Sequence, residues 1–195
     1  MKKLTVFQVC VLGFATALNV VGANIALVLR LPIYLDSLGT MLSAILLGPI
    51  YGTLPGILSG IISGCTSDVY SFYYLPVQIV LGILTGILYQ KIKPNTKQIW
   101  KLLLMAFCIS LPGTVISSFI TSAVFGGITS SGSSILVQLL HAGGLSMTAS
   151  VCLVQMITDY LDRIVVLFCA VVLYSILPDS LKQKIQKGNS HGTIQ

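Results

Sequence analysis

Few residues in this chain can do chemistry, and they fall in three short segments. Asp159-Tyr160-Leu161-Asp162-Arg163 places two carboxylates at i and i+3, and a guanidinium four residues after the first. On a helix all three can share one face. Such a group can belong to an outward-facing ligand site, or it can close on itself through an Arg163–Asp159 ion pair at the outer end of the last helix. The second segment is Leu31-Pro32-Ile33-Tyr34-Leu35-Asp36-Ser37-Leu38-Gly39-Thr40. Pro32 biases Leu31 away from helix, and Asp36 or Ser37 can cap the helix that follows. The alternative is a loop that closes over a ligand, with Tyr34 and Asp36 facing it. The third is Asp68-Val69-Tyr70-Ser71-Phe72-Tyr73-Tyr74. Its four aromatics suit an interfacial belt or the wall of a site for a flat ring. His141, just before Ala142-Gly143-Gly144, is a further candidate.

Catalytic patterns are missing. The chain contains no HExxH, GxSxG, Walker A or GxGxxG sequence. It has no Glu, and its two histidines are His141 and His191, so general acid–base machinery is scarce. Neither an enzyme nor a bound cofactor or metal is expected. The five cysteines (Cys10, Cys65, Cys108, Cys152 and Cys169) form no CxxC pair. They are expected to behave as small hydrophobes.

The elements that position these residues follow from composition. Charged residues are 8 % of the 195 and hydrophobic residues 55 %, where a soluble domain carries roughly 25 % charge. Mean hydropathy is +0.95. Sixteen charges, 11 Lys plus Arg and 5 Asp, cannot cover a soluble surface. The apolar content equally excludes disorder. An integral membrane protein is expected, and the net charge of +6 then sets orientation rather than binding nucleic acid.

A spanning helix needs about 20 apolar residues. Residues 4–29 supply one, about twice the length of a signal-peptide core. Residues 37–67 are too long for one span and hold Gly48-Pro49-Ile50-Tyr51-Gly52-Thr53-Leu54-Pro55-Gly56 in the middle. Two short helices joined by a tight turn are expected there. Residues 70–89 and 102–125 are further spans, the latter with a possible bend at Pro112-Gly113. Residues 126–134 read as a Gly/Ser loop, and 135–177 form a long final stretch.

Lysines cluster at Lys2 and Lys3, at Lys91, Lys93, Lys97 and Lys101, and at Lys182, Lys184 and Lys187. If all three clusters face the cytoplasm, an even number of crossings separates each pair. The expectation is therefore an all-α membrane protein of six transmembrane helices with both termini cytoplasmic. Residues 1–180 would form one membrane domain and 181–195 a polar tail. Seven spans is the rival count, with 135–158 crossing separately. Asp36, Asp68, Asp159 and Asp162 then lie toward the outer side. That balance favours a neutral or cationic ligand over a polyanion.

The first helix carries small residues, with Ala15, Asn19 and Ala23 recurring every fourth position. Such a stripe serves close helix packing, inside the protein or against a partner membrane protein.

Together these features resemble the S component, the substrate-binding membrane subunit, of energy-coupling factor (ECF) vitamin transporters. The resemblance rests on the 31–40 segment, on Leu47-Gly48-Pro49-Ile50-Tyr51-Gly52 followed by Gly56 and Gly60, and on Asp159-x-x-Asp162-Arg163 opening the last helix before Pro178. It implies a subunit in a bacterial plasma membrane that captures a vitamin or related organic micronutrient outside the cell. Delivery inward would require a membrane T component and two ATPases. The resemblance assigns ligand contacts to Tyr34, Asp36, Tyr73, Tyr74, Gln78, His141, Asp159 and Arg163. It assigns T-component contacts to Ala15, Asn19 and Ala23, although Asn19 stands where the family has a second Ala. A standalone channel or secondary transporter for a small organic solute is the alternative.

Overall fold

The computed structural model describes residues 4–94, 96 and 98–186. Lys2, Lys3, Asn95, Lys97, Lys187 and His191 lie outside the described residues, as does most of the expected tail. The protein is all-helical, with no strand among the described residues. Eight α-helices follow in order: α1 (Val6–Val28), α2 (Leu38–Leu47), α3 (Pro49–Thr66), α4 (Leu75–Ile92), α5 (Ile99–Ala123), α6 (Ser133–Ala142), α7 (Met147–Ile176) and α8 (Asp179–Gln186). A short 3₁₀ turn, Val69–Phe72, precedes α4.

Local chemistry sets the boundaries. Thr5 and Gln8 form a reciprocal capping box at the start of α1, the Thr5 hydroxyl accepting from the Gln8 N–H at 3.3 Å and the Gln8 Oε1 from the Thr5 N–H at 3.0 Å. The expected break between two short helices is a single residue, Gly48, at φ 93°. Only glycine takes that backbone freely, and Pro49 then opens α3. The expected 70–89 span starts later, at Leu75, because Asp68 caps the 3₁₀ turn and Pro76 occupies the first turn of α4. α5 runs unbroken through Pro112. The long 135–177 stretch divides at Gly143-Gly144 into α6 and the 30-residue α7.

Packing contacts make α1, α2, α3, α4, α5 and α7 successively antiparallel. Asn19 of α1 meets Thr40 of α2, while Gly22 meets Leu35. Thr40 lies by Gly56 and Ala44 by Gly52 in the α2–α3 pair. Thr53 lies by Gly82 and Pro49 by Gly86 in the α3–α4 pair. Tyr74 bonds Thr121 across α4 and α5, and Thr121 and Leu103 of α5 meet Gln155 and Tyr160 of α7. One end of the bundle gathers Gln8, Gly48, Gln90, Tyr89, Tyr174 and Ile185. The opposite end gathers residues 29–37, 67–74 and the segment around 129–134.

α2 is the innermost helix, with every residue from Gly39 to Leu46 buried. A Cβ on Gly39 would overlap the Ala15 carbonyl of α1, so glycine permits this contact. The core is built on Met41, Leu81, Met105, Ile109 and Leu167. The outside is apolar as well: Phe14, Val21, Val115, Phe119 and Ile157 are all exposed. So extensive an apolar surface requires a non-aqueous partner, which for this composition is the bilayer. α1, α4 and α5 are each long and apolar enough to cross it, and α7 with α8, bent by 106°, makes a fourth such unit. This is a helical, multi-pass membrane protein.

Candidate functional site

A cavity of ≈ 100 Å³ opens near the end of the bundle that holds residues 29–37. Its walls come from α1, the 29–37 segment, α3, residues 67–71, the start of α4, the C-terminal part of α5, residues 129–131 and the middle of α7. Six of the eight expected ligand residues line it: Tyr34, Asp36, Tyr74, Gln78, Asp159 and Arg163. Tyr73 and His141 do not. Tyr73 is 49 % exposed and packs edge-on against Phe125 at 5.0 Å. His141 lies on the exposed end of α6, where its Nδ1 bonds the Leu145 carbonyl at 2.8 Å.

The cavity floor is a polar network between helices. Gln78 donates to Asp36 Oδ2 at 2.8 Å. The Thr40 hydroxyl donates to Gln78 Oε1 at 3.2 Å. Asn19, fully buried, donates to the Thr40 hydroxyl at 2.8 Å and accepts from the Gly39 N–H at 2.6 Å. Asn19 therefore supplies, from another helix, the side-chain cap of α2 that Asp36 or Ser37 was expected to provide; Ser37 makes no cap bond. The stripe expected to meet a partner faces inward along its length. Ala15 and Asn19 are buried against α2, and Ala23 lines the cavity.

Asp159 accepts from Thr114 at 3.0 Å and Ser117 at 2.9 Å, both on Oδ2. It stands twelve residues into α7, which starts at Met147, rather than opening the last helix. The expected Arg163–Asp159 ion pair is replaced by one with the adjacent Asp162, at 3.0 Å. Arg163 Nη1 also donates to Ser37 Oγ. The reason is the second role of Asp162, whose Oδ1 accepts from the backbone N–H groups of Tyr34 and Leu35, both at 2.9 Å. The carboxylate thus anchors the 29–37 segment and draws the guanidinium toward it. Leu35 sits at φ 51°, a left-handed backbone that costs a non-glycine residue roughly 1–2 kcal/mol.

Three charged groups at this site have no ion pair among the described residues: Asp36, Asp68 and Asp159. Asp68 accepts from Ser130 at 2.8 Å and from the Tyr70 N–H at 3.3 Å. Asp36 Oδ1 is buried without a hydrogen-bond partner among the described residues. Burial pushes the Asp36 carboxyl up to about 6, partly offset by the Arg163 guanidinium. Burial, with the nearby Asp159, also raises the Tyr34 phenol.

A family model described as 5TMR of 5TMR-LYT, a multi-transmembrane domain family, matches residues 1–124. The chain belongs to the 5TMR-LYT family. The matched residues end one position after α5, so the 5TMR unit corresponds to α1, α2, α3, α4 and α5. α6, α7 and α8 follow it. The cavity draws on both parts: Tyr34, Asp36, Gln78 and Ser117 come from the 5TMR unit, and Asp159 and Arg163 from α7. No curated protein and no solved structure matches the chain significantly.

Thr114, Ser117, Asp162 and Tyr70 also shape the site, yet none was among the expected ligand residues. Hydroxyls in apolar helices bond their own preceding carbonyls, as Ser117 does to Thr114 at 3.2 Å. Their presence alone therefore carries no signal. A second groove lies outside, between α5 and α7, walled by Phe107, Phe119, Met156 and Leu161. These exposed apolar side chains are of the kind that face lipid.

Proposed function

We propose that this protein is a solute-capturing membrane subunit. It takes a small organic nutrient into the cavity beneath residues 29–37 and passes it inward as an S component of an ECF-type importer, with a T component and two ATPases. The observation that carries this reading is the cavity itself. It sets polar and charged side chains among mainly apolar walls, lies at the end of the bundle away from Lys91, Lys182 and Lys184, and is floored by buried charged side chains. In this reading α1–α5 and α7 are the six crossings, α2 being a short one of about 15 Å, and both termini are cytoplasmic. The alternating directions of these helices support that count. Below the cavity Met41, Leu81, Met105 and Leu167 are fully buried. That packing disfavours a standing channel.

The 5TMR-LYT match favours a second reading, a receptor domain that reports ligand occupancy to a signalling partner. Purification from native membranes in mild detergent separates the two. Recovery of a membrane subunit and two ATPases, with ATP-dependent uptake in liposomes, is expected for the importer. Uptake by the protein alone, or a complex without ATPases, would overturn it.

A further inference from the structure

The charge inventory of the cavity leaves an imbalance that the protein does not correct. Among the described residues, Arg163 is the one cation that lines it. Arg163 is already matched by Asp162, which is fully buried behind it. Asp36, Asp68 and Asp159 line the same cavity and take hydrogen bonds only from neutral donors. Asp159 is 4 % exposed, and both its hydrogen bonds fall on Oδ2. Asp36 keeps one buried oxygen with no hydrogen-bond partner among the described residues. Uncompensated carboxylates in a membrane domain are costly, and they usually mark the path of a charged ligand or ion. Three phenol rings, Tyr34, Tyr70 and Tyr74, line it too, among small, aliphatic and hydroxyl side chains. The faces of such rings attract cations.

From this arrangement we propose that the cavity takes a small organic cation, an amine or amidine, whose charged nitrogen pairs with Asp159 while its body lies among Tyr34, Tyr70 and Tyr74. The proposal rests on the solute-capturing reading above and names the substrate class of that site. Size supports an organic ion of modest dimensions. A water-sized sphere needs about 10–15 Å³ of such space, so ≈ 100 Å³ holds about seven to ten non-hydrogen atoms. A bare metal ion would leave most of that volume empty. An anion would meet three carboxylates and an arginine already engaged.

The test uses three probes of nearly equal size and different charge on the purified full-length protein: benzylammonium, benzyl alcohol and benzoate. Binding is read by isothermal calorimetry and by the shift in unfolding temperature at pH 7.5. Benzylammonium is expected to bind about tenfold or more tightly than benzyl alcohol, the scale of one charge-assisted contact. Benzoate is expected to give no saturable binding. Asp159→Asn is expected to erase the preference for benzylammonium while benzyl alcohol still binds. If that variant does not fold, the ranking on the unmodified protein decides by itself. Equal or tighter binding of benzyl alcohol or benzoate overturns the cation assignment and leaves the solute-capturing reading intact. If no probe binds, and no organic molecule is extracted from the protein as isolated from native membranes, both fail.

Discussion

Asp162 is the residue whose removal should be felt most widely. It has no solvent exposure, accepts two backbone N–H bonds from the 29–37 segment, and holds Arg163 in an ion pair. Asp162→Ala strips all three contacts. It leaves a buried guanidinium unpaired, which costs about 3–5 kcal/mol. It also leaves the N–H groups of Tyr34 and Leu35 without an acceptor, at about 1–3 kcal/mol each where water cannot reach them. Relaxation of the segment toward solvent recovers part of the second cost, so a net loss of at least about 4 kcal/mol is expected. Asp162→Asn retains an amide oxygen for the two N–H donors and forfeits only the ion pair. Removing both charges together, as Asp162→Asn with Arg163→Gln, should be milder than Asp162→Ala, because no buried charge is then left alone. The assays are thermal unfolding in detergent and amide hydrogen exchange. In Asp162→Ala the amides of Tyr34 and Leu35 should lose protection well before those of α2, and in Asp162→Asn they should largely keep it. Unchanged protection at both positions in Asp162→Ala would refute the anchoring role. Additive costs in the double variant would refute the account of the ion pair.

Other expectations are independent of this one. The Asp36 carboxyl sits at about 6, above its ordinary 3.8. The native state therefore holds that proton more tightly than the unfolded chain, and the stability this confers is full below pH 4 and lost as pH rises through about 6. The change amounts to about 3 kcal/mol, and Asp36→Asn should flatten the profile of unfolding temperature between pH 4 and 7. Asn19→Ala removes the cap on the Gly39 N–H and the bond to Thr40. It should cost about 2–3 kcal/mol by the same unfolding assay, with weakened ligand binding because Gln78 loses the orientation passed through Thr40. His141→Ala should change neither stability by more than about 0.5 kcal/mol nor ligand affinity measured by calorimetry, since the side chain lies outside the cavity.

Helix placement was legible because breakers and charges are strong signals in an apolar chain. Gly48-Pro49 marked the α2–α3 hinge, and the 91–101 lysines marked the α4–α5 connection. Six of the eight expected ligand residues line the cavity for the same reason: a buried charge or phenol in such a chain has few places to go. The inward turn of Ala15 and Asn19 was not legible. In a membrane helix a small-residue stripe looks the same whether it meets another helix of the chain or one of a partner. Nor was the role of Asp162 legible. Spacing alone pairs Arg163 with Asp159 one turn away, whereas the deciding partners, Tyr34 and Leu35, lie 128 and 127 residues distant. Tyr73 and Tyr74 are neighbours in sequence, but only the second turns into the site, a distinction of rotation that composition does not carry. His141 lies outside the cavity because the 135–177 stretch divides at Gly143-Gly144, which puts the histidine on α6, away from the face of α7 that carries Asp159.

Capture of one small organic molecule in the cavity beneath residues 29–37 leaves a mark on the protein as it is made in the cell. Native mass spectrometry of the protein released directly from its own membranes tests this most directly, with Asp159→Asn measured beside it. One small organic adduct per chain in the unmodified protein, absent or strongly depleted in Asp159→Asn, is the result the account predicts. A bare protein would overturn the capture itself, and an adduct of equal abundance in both would overturn the pairing with Asp159.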